Sequence, residues 1–208
     1  YGANDGLGAV FGIVSGVAGY TGASDSHFVL VSGLAGMLAS ALSMGSGAFL
    51  ATKSQREIYE AEIRREKREI EEDPQEEQEE LSLFYQLKGF TEDESNVLAT
   101  RMAEKPEQML RTLAHEELGL SEDSFPNPVA SAVSAMLSTA IGAFIPIIPF
   151  FFLQGIAAVL AAAIISLFAH FAVGAAKTLV TGRSWFSSGM EMTIVGAVEA
   201  VITYVLGA

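Results

Sequence analysis

The sequence predicts an all-α membrane protein with five transmembrane helices and a cytoplasmic acidic helical domain inserted between helices 2 and 3. Charged residues make up 18% of the chain, and nearly all of them fall in one block, residues 53–123. The flanking stretches are long apolar runs rich in Gly, Ala and Ser, which is typical of segments that cross a bilayer. The runs do not alternate polar and apolar residues, which excludes membrane-spanning strands.

Five apolar runs are each close to the ~20 residues that span about 30 Å of hydrocarbon. The third and fourth runs form one long uncharged stretch, in which Pro146, Pro149 and Gln154 predict the turn. The predicted spans are 6–23, 28–52, 128–150, 152–176 and 188–207. The predicted domains are 1–52 (helices 1 and 2), 53–125 (the acidic domain) and 126–208 (helices 3 to 5).

The positions of Lys and Arg near the span ends predict the orientation. Lys53 and Arg56 follow span 2, and Lys177 and Arg183 lie between spans 4 and 5. The loops after spans 1 and 3 carry neither residue type. We therefore expect the insert and the N-terminus in the cytoplasm and the C-terminus on the far side. No cleavable signal peptide is visible, and the start at Tyr1 suggests that further sequence precedes the first span.

Composition restricts the partners and the chemistry. The formal net charge of −13 comes almost entirely from the insert. Such an appendage repels nucleic acid and anionic lipid headgroups and attracts cations. The chain has no cysteine, which excludes disulfides, thiolate metal sites and cysteine nucleophiles.

Local signals in the insert predict four helices. Residues 54–72 have a helical composition and continue span 2 until Pro74, which ends the helix. A second helix covers 75–87 before the turn at Gly89. Thr91 and Glu94 form a capping-box pattern for a third helix, 92–103. The fourth helix, 106–118, has Pro106 in its first turn and Gly119 beyond its end.

Two pairs of glutamates in the insert have the spacing of a metal site. The i, i+3 spacing within each pair projects both carboxylates from one helix face. Pro74 lies between the pairs, so the two helices can fold back on each other. Converging carboxylates suit Fe²⁺, Mn²⁺, Mg²⁺ or Ca²⁺. The alternative is an ordinary solvated helix, because Lys and Arg are interleaved throughout. The four residues are Glu66, Glu69, Glu77 and Glu80.

The first span carries a glycine at every fourth position, which places Gly8, Gly12 and Gly16 on one helix face. Small residues at this spacing let helices approach closely. The face therefore serves either packing within the bundle or a dimer interface. His170, in span 4, is interpreted as a packed, hydrogen-bonded histidine rather than a ligand. Glu191 is expected to pair with Arg183 or Lys177, or to assist metal entry.

Several short motifs are spread along the whole chain. They are Asp5-Gly6-Leu7, Ser43-Met44-Gly45-Ser46-Gly47, Glu117-Leu118-Gly119-Leu120, Pro126-Asn127-Pro128, Thr181-Gly182-Arg183-Ser184-Trp185 and Ser188-Gly189-Met190-Glu191-Met192. In their order, in the span count and in the placement of the insert, the chain resembles the vacuolar iron transporter family.

The resemblance implies a homodimer that exports Fe²⁺, and often Mn²⁺, from the cytosol in exchange for protons. The family's Glu-x2-Glu, seven residues, Glu-x2-Glu pattern falls on the four glutamates above, and a further metal-binding glutamate matches Glu117. Asp5 and Met44 match translocation-pathway residues. Asp5 could alternatively be the N-cap of the first helix. The Met44 thioether is a soft ligand that suits Fe²⁺ better than Mg²⁺ or Ca²⁺.

The charge-free loops on the far side and the Gly-rich first span resemble those of bacterial members, which implies an inner-membrane location. Some of these members carry a rubrerythrin-like di-iron domain upstream, and the start at Tyr1 suits such a protein without that domain.

The sequence departs from the family at two places. Family methionines near the last metal glutamate are replaced by Leu113 and Ala114, so His115 or Glu116 are candidates for additional metal binding. A span-2 glutamate of plant-like members is replaced by Gly36. Glu199 lies near mid-depth in span 5, and an intramembrane carboxylate is costly unless it is functional. Glu199 is therefore a candidate proton carrier in place of the missing carboxylate.

The sequence thus predicts a metal/proton antiporter, with Fe²⁺ or Mn²⁺ as cargo. One alternative is a non-transporting membrane anchor that stores or senses iron for an upstream ferroxidase domain. A di-iron enzyme is disfavoured, because such sites usually use Glu-x-x-His motifs and Thr112 stands three residues before His115.

Overall fold

The computed structural model describes residues 2–119 and 127–208, except the side chains of residues 117 and 118. In these ranges all regular structure is helical, as predicted. The chain divides into two compact units, which we call the apolar unit (1–49 and 129–208) and the acidic unit (50–128). The described helices are α1 (Gly2–Tyr20), α2 (Ser26–Glu72), α3 (Pro74–Leu87), α4 (Glu92–Ala103), α5 (Pro106–Leu118), α6 (Pro128–Phe144), a 3-10 helix (Ile145–Phe151), α7 (Gly155–Thr181) and α8 (Trp185–Gly207).

Four helical segments within the described ranges are long and apolar enough to cross a membrane. They are Ser26–Glu72, Pro128–Phe151, Gly155–Thr181 and Trp185–Gly207. Helix α1 is not among them, because Asn4, Asp5 and its many glycines lower its mean hydropathy. The chain is therefore an all-helical protein with four candidate spans, and the fifth span stays a prediction.

Helix α1 packs along α7, α8 and the 3-10 helix. Its side chains at Leu7, Val10 and Val14 are at most 1% exposed. Val10 and Val14 join one apolar cluster with residues of the 3-10 helix and α7, including Ile147 and Ala158. A helix of modest hydropathy is thus held in the interior of its unit.

The first span ends earlier than predicted. Helix α1 stops at Tyr20, not at residue 23, and the next residues form a turn. Gly22 and Ala23 have φ values of 57° and 60°. The amide of Ala23 donates a 2.9 Å hydrogen bond to the carbonyl oxygen of Ala18. This bond supplies a partner for a carbonyl at the helix end, where no further helical turn can do so.

Other span boundaries are also corrected. The predicted turn near Pro146 and Pro149 is present, since α6 gives way to the 3-10 helix at Ile145. Helix α7 then begins at Gly155 and continues to Thr181, five residues beyond the predicted end, and stops at Gly182 with a φ of 64°. Helix α8 begins at Trp185 rather than residue 188. Composition alone could not locate the end of α7, because the left-handed backbone conformation of Gly182 ends that helix.

Helix α2 continues out of the predicted span without a break, as expected, and its 47 residues give a length of about 70 Å. Its charged part carries ion pairs one turn apart, such as Arg56 Nε to Glu60 Oε1 at 2.9 Å. The reversed-order pair of Glu60 and Arg64 is longer, at 3.9 Å. Exposed pairs of this kind each contribute only about 0.3–0.5 kcal/mol.

The capping box and the glycine stop predicted for the acidic unit are present, and the structure adds a cap that was not predicted. Helix α2 ends before Asp73, whose Oδ1 accepts a 3.1 Å hydrogen bond from the amide of Glu76 at the start of α3. Thr91 and Glu94 form the full capping box of α4. Helix α5 ends at Gly119 in the left-handed region. Helix α3 begins at Pro74, one residue before its predicted start.

The acidic unit has a hydrophobic core of its own. Helices α3, α4 and α5 pack in sequence, and the charged part of α2 adds Ile70 to their cluster. Leu81 and Leu113 in this core are fully buried. Conventional burial of apolar side chains therefore stabilises this unit. The cluster consists of Ile70, Leu81, Ala99, Met109 and Leu113.

Candidate functional site

The four predicted metal-binding glutamates divide by exposure. Glu66 is 2% exposed and Glu77 is 8% exposed, which is unusual for carboxylates. Glu69 and Glu80 are partly exposed. In the helical repeat, Glu66 lies one turn before core residue Ile70, and Glu77 one turn before core residue Leu81. One member of each pair is therefore directed into the acidic unit.

A buried carboxylate requires a charge partner or a bound cation. Glu69 has a partner on its own helix, because Arg65 Nε lies 3.3 Å from Glu69 Oε1. Arg65 also reaches Glu62, at 3.2 Å. A cation that binds Glu69 would therefore compete with Arg65.

The structure does not gather the predicted carboxylates into one cluster. Among the described residues, no group of three or more His, Asp or Glu side chains is placed to hold a metal ion. The site at Glu66, Glu69, Glu77 and Glu80 thus stays a prediction, with two of its members already buried.

The residues predicted near the end of α5 have different surroundings. The side chain of Glu117 lies outside the described residues. Glu116 forms a close ion pair with Lys88, and His115 is exposed. Burial and the nearby Glu116 carboxylate raise the pKa of Tyr85 above 10.0, while Lys88 acts in the opposite direction. Any metal at Glu116 would first have to displace Lys88.

Leu113 and Ala114, which are predicted to stand in place of family methionines, are 0% and 2% exposed. They pack inward on α5, whereas the next residue, His115, is on the exposed side of the helix. The His115 imidazole therefore lies on a different side of α5 from a methionine side chain at position 113 or 114.

In the apolar unit, Asp5 and Met44 lie beside residues that contact the same helix, α6. Helix α1 already includes Gly2, so Asp5 lies inside its first turn and is not its N-cap. The Asp5 side chain is exposed. The adjacent Gly6 contacts the backbone of Thr139. Met44 is half-buried, and a methyl group on the adjacent Gly45 would lie 3.1 Å from Cβ of Met136.

Two buried polar oxygens close to Asp5 were not predicted from the sequence. Thr139 is 1% exposed, and its Oγ1 has no hydrogen-bond partner among the described residues. Asn4 Oδ1 is likewise buried without a partner there. A methyl group on Gly2 would lie 2.9 Å from Thr139 Oγ1, so α1 and α6 are in close contact here. Threonine in an apolar helix carries no sequence signal, and only the packing reveals this position.

His170 is packed as predicted. It is 2% exposed, and its Nδ1 lies 2.8 Å from the carbonyl oxygen of Ser166, so Nδ1 carries the proton that it donates. Its ring covers Gly196 of α8, where an added methyl group would lie 2.8 Å away. The expected ion pair of Glu191 with Arg183 is also present, at 3.8 Å.

The glycine face of α1 is turned toward α8. A methyl group on Gly8 would lie 2.8 Å from Glu199 Oε2, and one on Gly12 would lie 3.4 Å from Thr203 Cγ2. One on Gly16 would lie 3.2 Å from the carbonyl oxygen of Thr203. Packing within the bundle therefore accounts for this face. Between the two helices is an open groove of about 470 Å³ that Glu199 helps to line.

The long apolar helices define the class: this is a multi-pass integral membrane protein. The model of the VIT family matches residues 1–208, so the chain belongs to the VIT family.

Several named relatives align with nearly all of the chain. It is 31% identical over 206 residues to "Vacuolar iron transporter 1" of Arabidopsis thaliana, an alignment that includes 99% of this chain and 82% of the relative. It is 31% identical to "Vacuolar iron transporter 1" of Oryza sativa subsp. japonica, over 98% of this chain and 80% of the relative. It is 28% identical to "Protein CCC1" of Saccharomyces cerevisiae, over 96% of this chain and 64% of the relative.

Proposed function

We propose that this protein exports Fe²⁺, and also Mn²⁺, from the cytosol in exchange for protons. The observation that carries the proposal is membership of the VIT family over the full 208 residues, with relatives named as iron transporters.

The acidic unit captures the metal in this proposal. Glu66, Glu69, Glu77 and Glu80 supply oxygen ligands, joined by Glu117. Two of these carboxylates are already buried, which directs them into the acidic unit. Because protons compete for carboxylates, metal affinity falls as the pH falls.

The apolar unit moves the metal across the membrane. Asp5 and Met44 contribute to the pathway, and the uncommitted oxygens of Asn4 and Thr139 could replace water ligands of the passing ion. The distribution of Lys and Arg supports an acidic unit in the cytoplasm, with α1 as the fifth span. We further propose a homodimer in a bacterial inner membrane.

The test is Fe²⁺ uptake into proteoliposomes whose acidic unit faces outward, with and without an acidic interior. We expect the pH gradient to drive uptake and Asp5→Ala to abolish that uptake. Asp25→Ala is a matched control, because Asp25 caps α2 through a 2.9 Å hydrogen bond from the amide of Phe28 and has no proposed pathway role. Equal uptake by wild type and Asp5→Ala would refute the pathway.

A storage or sensing module is the second candidate function. It is favoured by the separate hydrophobic core of the acidic unit, which supports metal binding without transport. Fe²⁺ binding to the purified protein with no uptake in vesicles would establish this alternative and exclude the exporter.

A further inference from the structure

Glu199 is a carboxylate inside a candidate membrane span. It lies about 21 Å along α8 from Trp185 and about 12 Å before Gly207, at 1.5 Å per residue. Both distances place it within the hydrocarbon if α8 crosses the bilayer. Acidic residues at such depth almost always face a protein interior or a water-filled cavity and belong to an ion or proton pathway.

The groove between α1 and α8 gives this carboxylate its space. A methyl group at Gly8 would lie 2.8 Å from Glu199 Oε2, so the end of this exposed, flexible side chain would have to move aside. Thr203, one turn further along α8, directs its hydroxyl to the carbonyl oxygen of Glu199 at 2.9 Å. That hydroxyl is therefore turned to the backbone.

The groups around Glu199 favour a proton over a metal ion as its ligand. The nearest charged residue on α1 is Asp5, one turn before Gly8, and α7 contributes His170, whose Nδ1 is bonded to Ser166. Residues 28–52, the part of α2 predicted to span the membrane, include no titratable residue. A divalent cation needs several oxygen ligands, but among the described residues no group of three His, Asp or Glu side chains is placed to hold a metal ion. One carboxylate suffices for one proton.

We propose that Glu199 is the membrane-embedded group that binds and releases the proton, and that Gly8 is the positioning residue that keeps its carboxylate in the groove. Protonation neutralises the carboxylate by forming one O–H bond, and release on the cytoplasmic side restores the charge. Its use in coupling rests on the exchange of metal for protons proposed above.

Infrared difference spectroscopy tests proton binding without any transport. The purified full chain in lipid is titrated with acid, and the carbonyl stretch of protonated carboxylic acids is recorded for wild type and Glu199→Gln. We expect a band that Glu199→Gln lacks and that shifts in Gly8→Ala. Identical difference spectra for wild type and Glu199→Gln would overturn the proposal, whether or not the protein transports metal.

Flux measurements then test coupling. In Glu199→Gln we expect Fe²⁺ to move down its own gradient while the stimulation by an acidic interior is lost. Gly8→Ala should reduce that stimulation severalfold. Gly12→Ala is the matched control, because it adds a methyl group to the same face at an ordinary 3.4 Å contact with Thr203 Cγ2.

The flux results separate the two proposals. Full stimulation in Glu199→Gln overturns the role of Glu199 in coupling and leaves the exporter intact. Absence of uptake by wild type refutes the exporter, and the infrared titration alone then decides whether Glu199 binds the proton. Equal losses in Gly8→Ala and Gly12→Ala would overturn the positioning role of Gly8.

Discussion

The two units of this chain are both helical, but their helices associate by different means. In the acidic unit, large apolar side chains such as Leu81 and Leu113 leave the solvent. In the apolar unit, Leu179 and Val180 are 90% and 92% exposed, and close contacts form at glycines instead. Lipid is as apolar as leucine, so burial of side chains contributes little there and close backbone packing contributes more. The hydrophobic effect drives helix association only in water.

The difference in charge between the units gives the largest expected effect. We expect the affinity for Fe²⁺ or Mn²⁺ to fall when Glu66, Glu69, Glu77 and Glu80 are changed together to Gln. Loss of a residue that only hydrogen-bonds a metal ligand costs about 10–100-fold in affinity, and loss of the ligands themselves should cost more. Isothermal titration calorimetry of the purified protein measures this affinity. The matched control is the same number of changes on the outer face of α2 and α4, including Glu71→Gln and Glu92→Gln. Retained affinity in the first variant would refute the assignment.

Removal of a core side chain tests the packing of the acidic unit. Leu81→Ala should destabilise it by about 2–5 kcal/mol, because it removes buried methyl groups and leaves a cavity. Hydrogen exchange of the amides in α3, α4 and α5 measures the loss. Leu83→Ala, at a 58% exposed position on the same helix, should have little effect. Similar losses in both variants would contradict the core described above.

A methyl group added at a helix contact tests the apolar unit. Gly174→Ala on α7 should cost about 1–3 kcal/mol, since the methyl group would meet the backbone of Ser188 and approach Met192 Cγ at 2.8 Å. Thermal unfolding in detergent can be followed by the fluorescence of Trp185, the chain's single tryptophan. Gly47→Ala should be neutral, because no atom lies within 4 Å of its added methyl group. A stable Gly174→Ala protein would show that this contact does not hold α7 to α8.

The smallest expected effect concerns the capping box of α4 in the acidic unit. Hydrogen bonds from the backbone and side chain of Thr91 lower the pKa of Glu94 below 4.5. The stability from this ionised carboxylate is present above pH 4.5 and is lost as the pH falls through the lowered value. NMR titration should show the pKa of Glu94 rising in Thr91→Ala, which keeps the backbone bond alone. An unchanged pKa would mean that the hydroxyl contributes nothing.

The helices of the acidic unit could be predicted closely because their ends depend on local chemistry. Asp73, Thr91, Pro106 and Gly119 each act within one turn of the helix that they start or stop. The span ends were less predictable, since α1 stopped at Tyr20 and α7 continued to Thr181. A helix ends where a residue adopts the left-handed conformation, and the amino-acid composition does not mark that point.

The candidate site was predictable as a set of residue types but not as an arrangement. The sequence pattern selected Glu66 and Glu77, but it could not indicate that these two are buried while Glu69 pairs with Arg65. Thr139 and Asn4 carried no signal at all, because a single hydroxyl or amide in an apolar helix is common.

The sequence by itself determined the helical class, the separation of charge into one insert, the caps and the family, because each depends on residues close together in the chain or on their order. Tertiary structure decided that the glycine face of α1 meets α8, that the Glu199 carboxylate lies close to Gly8, and that Leu113 is buried in a core. Those outcomes depend on which surfaces meet across long separations, and close packing is decided by shape at the ångström level.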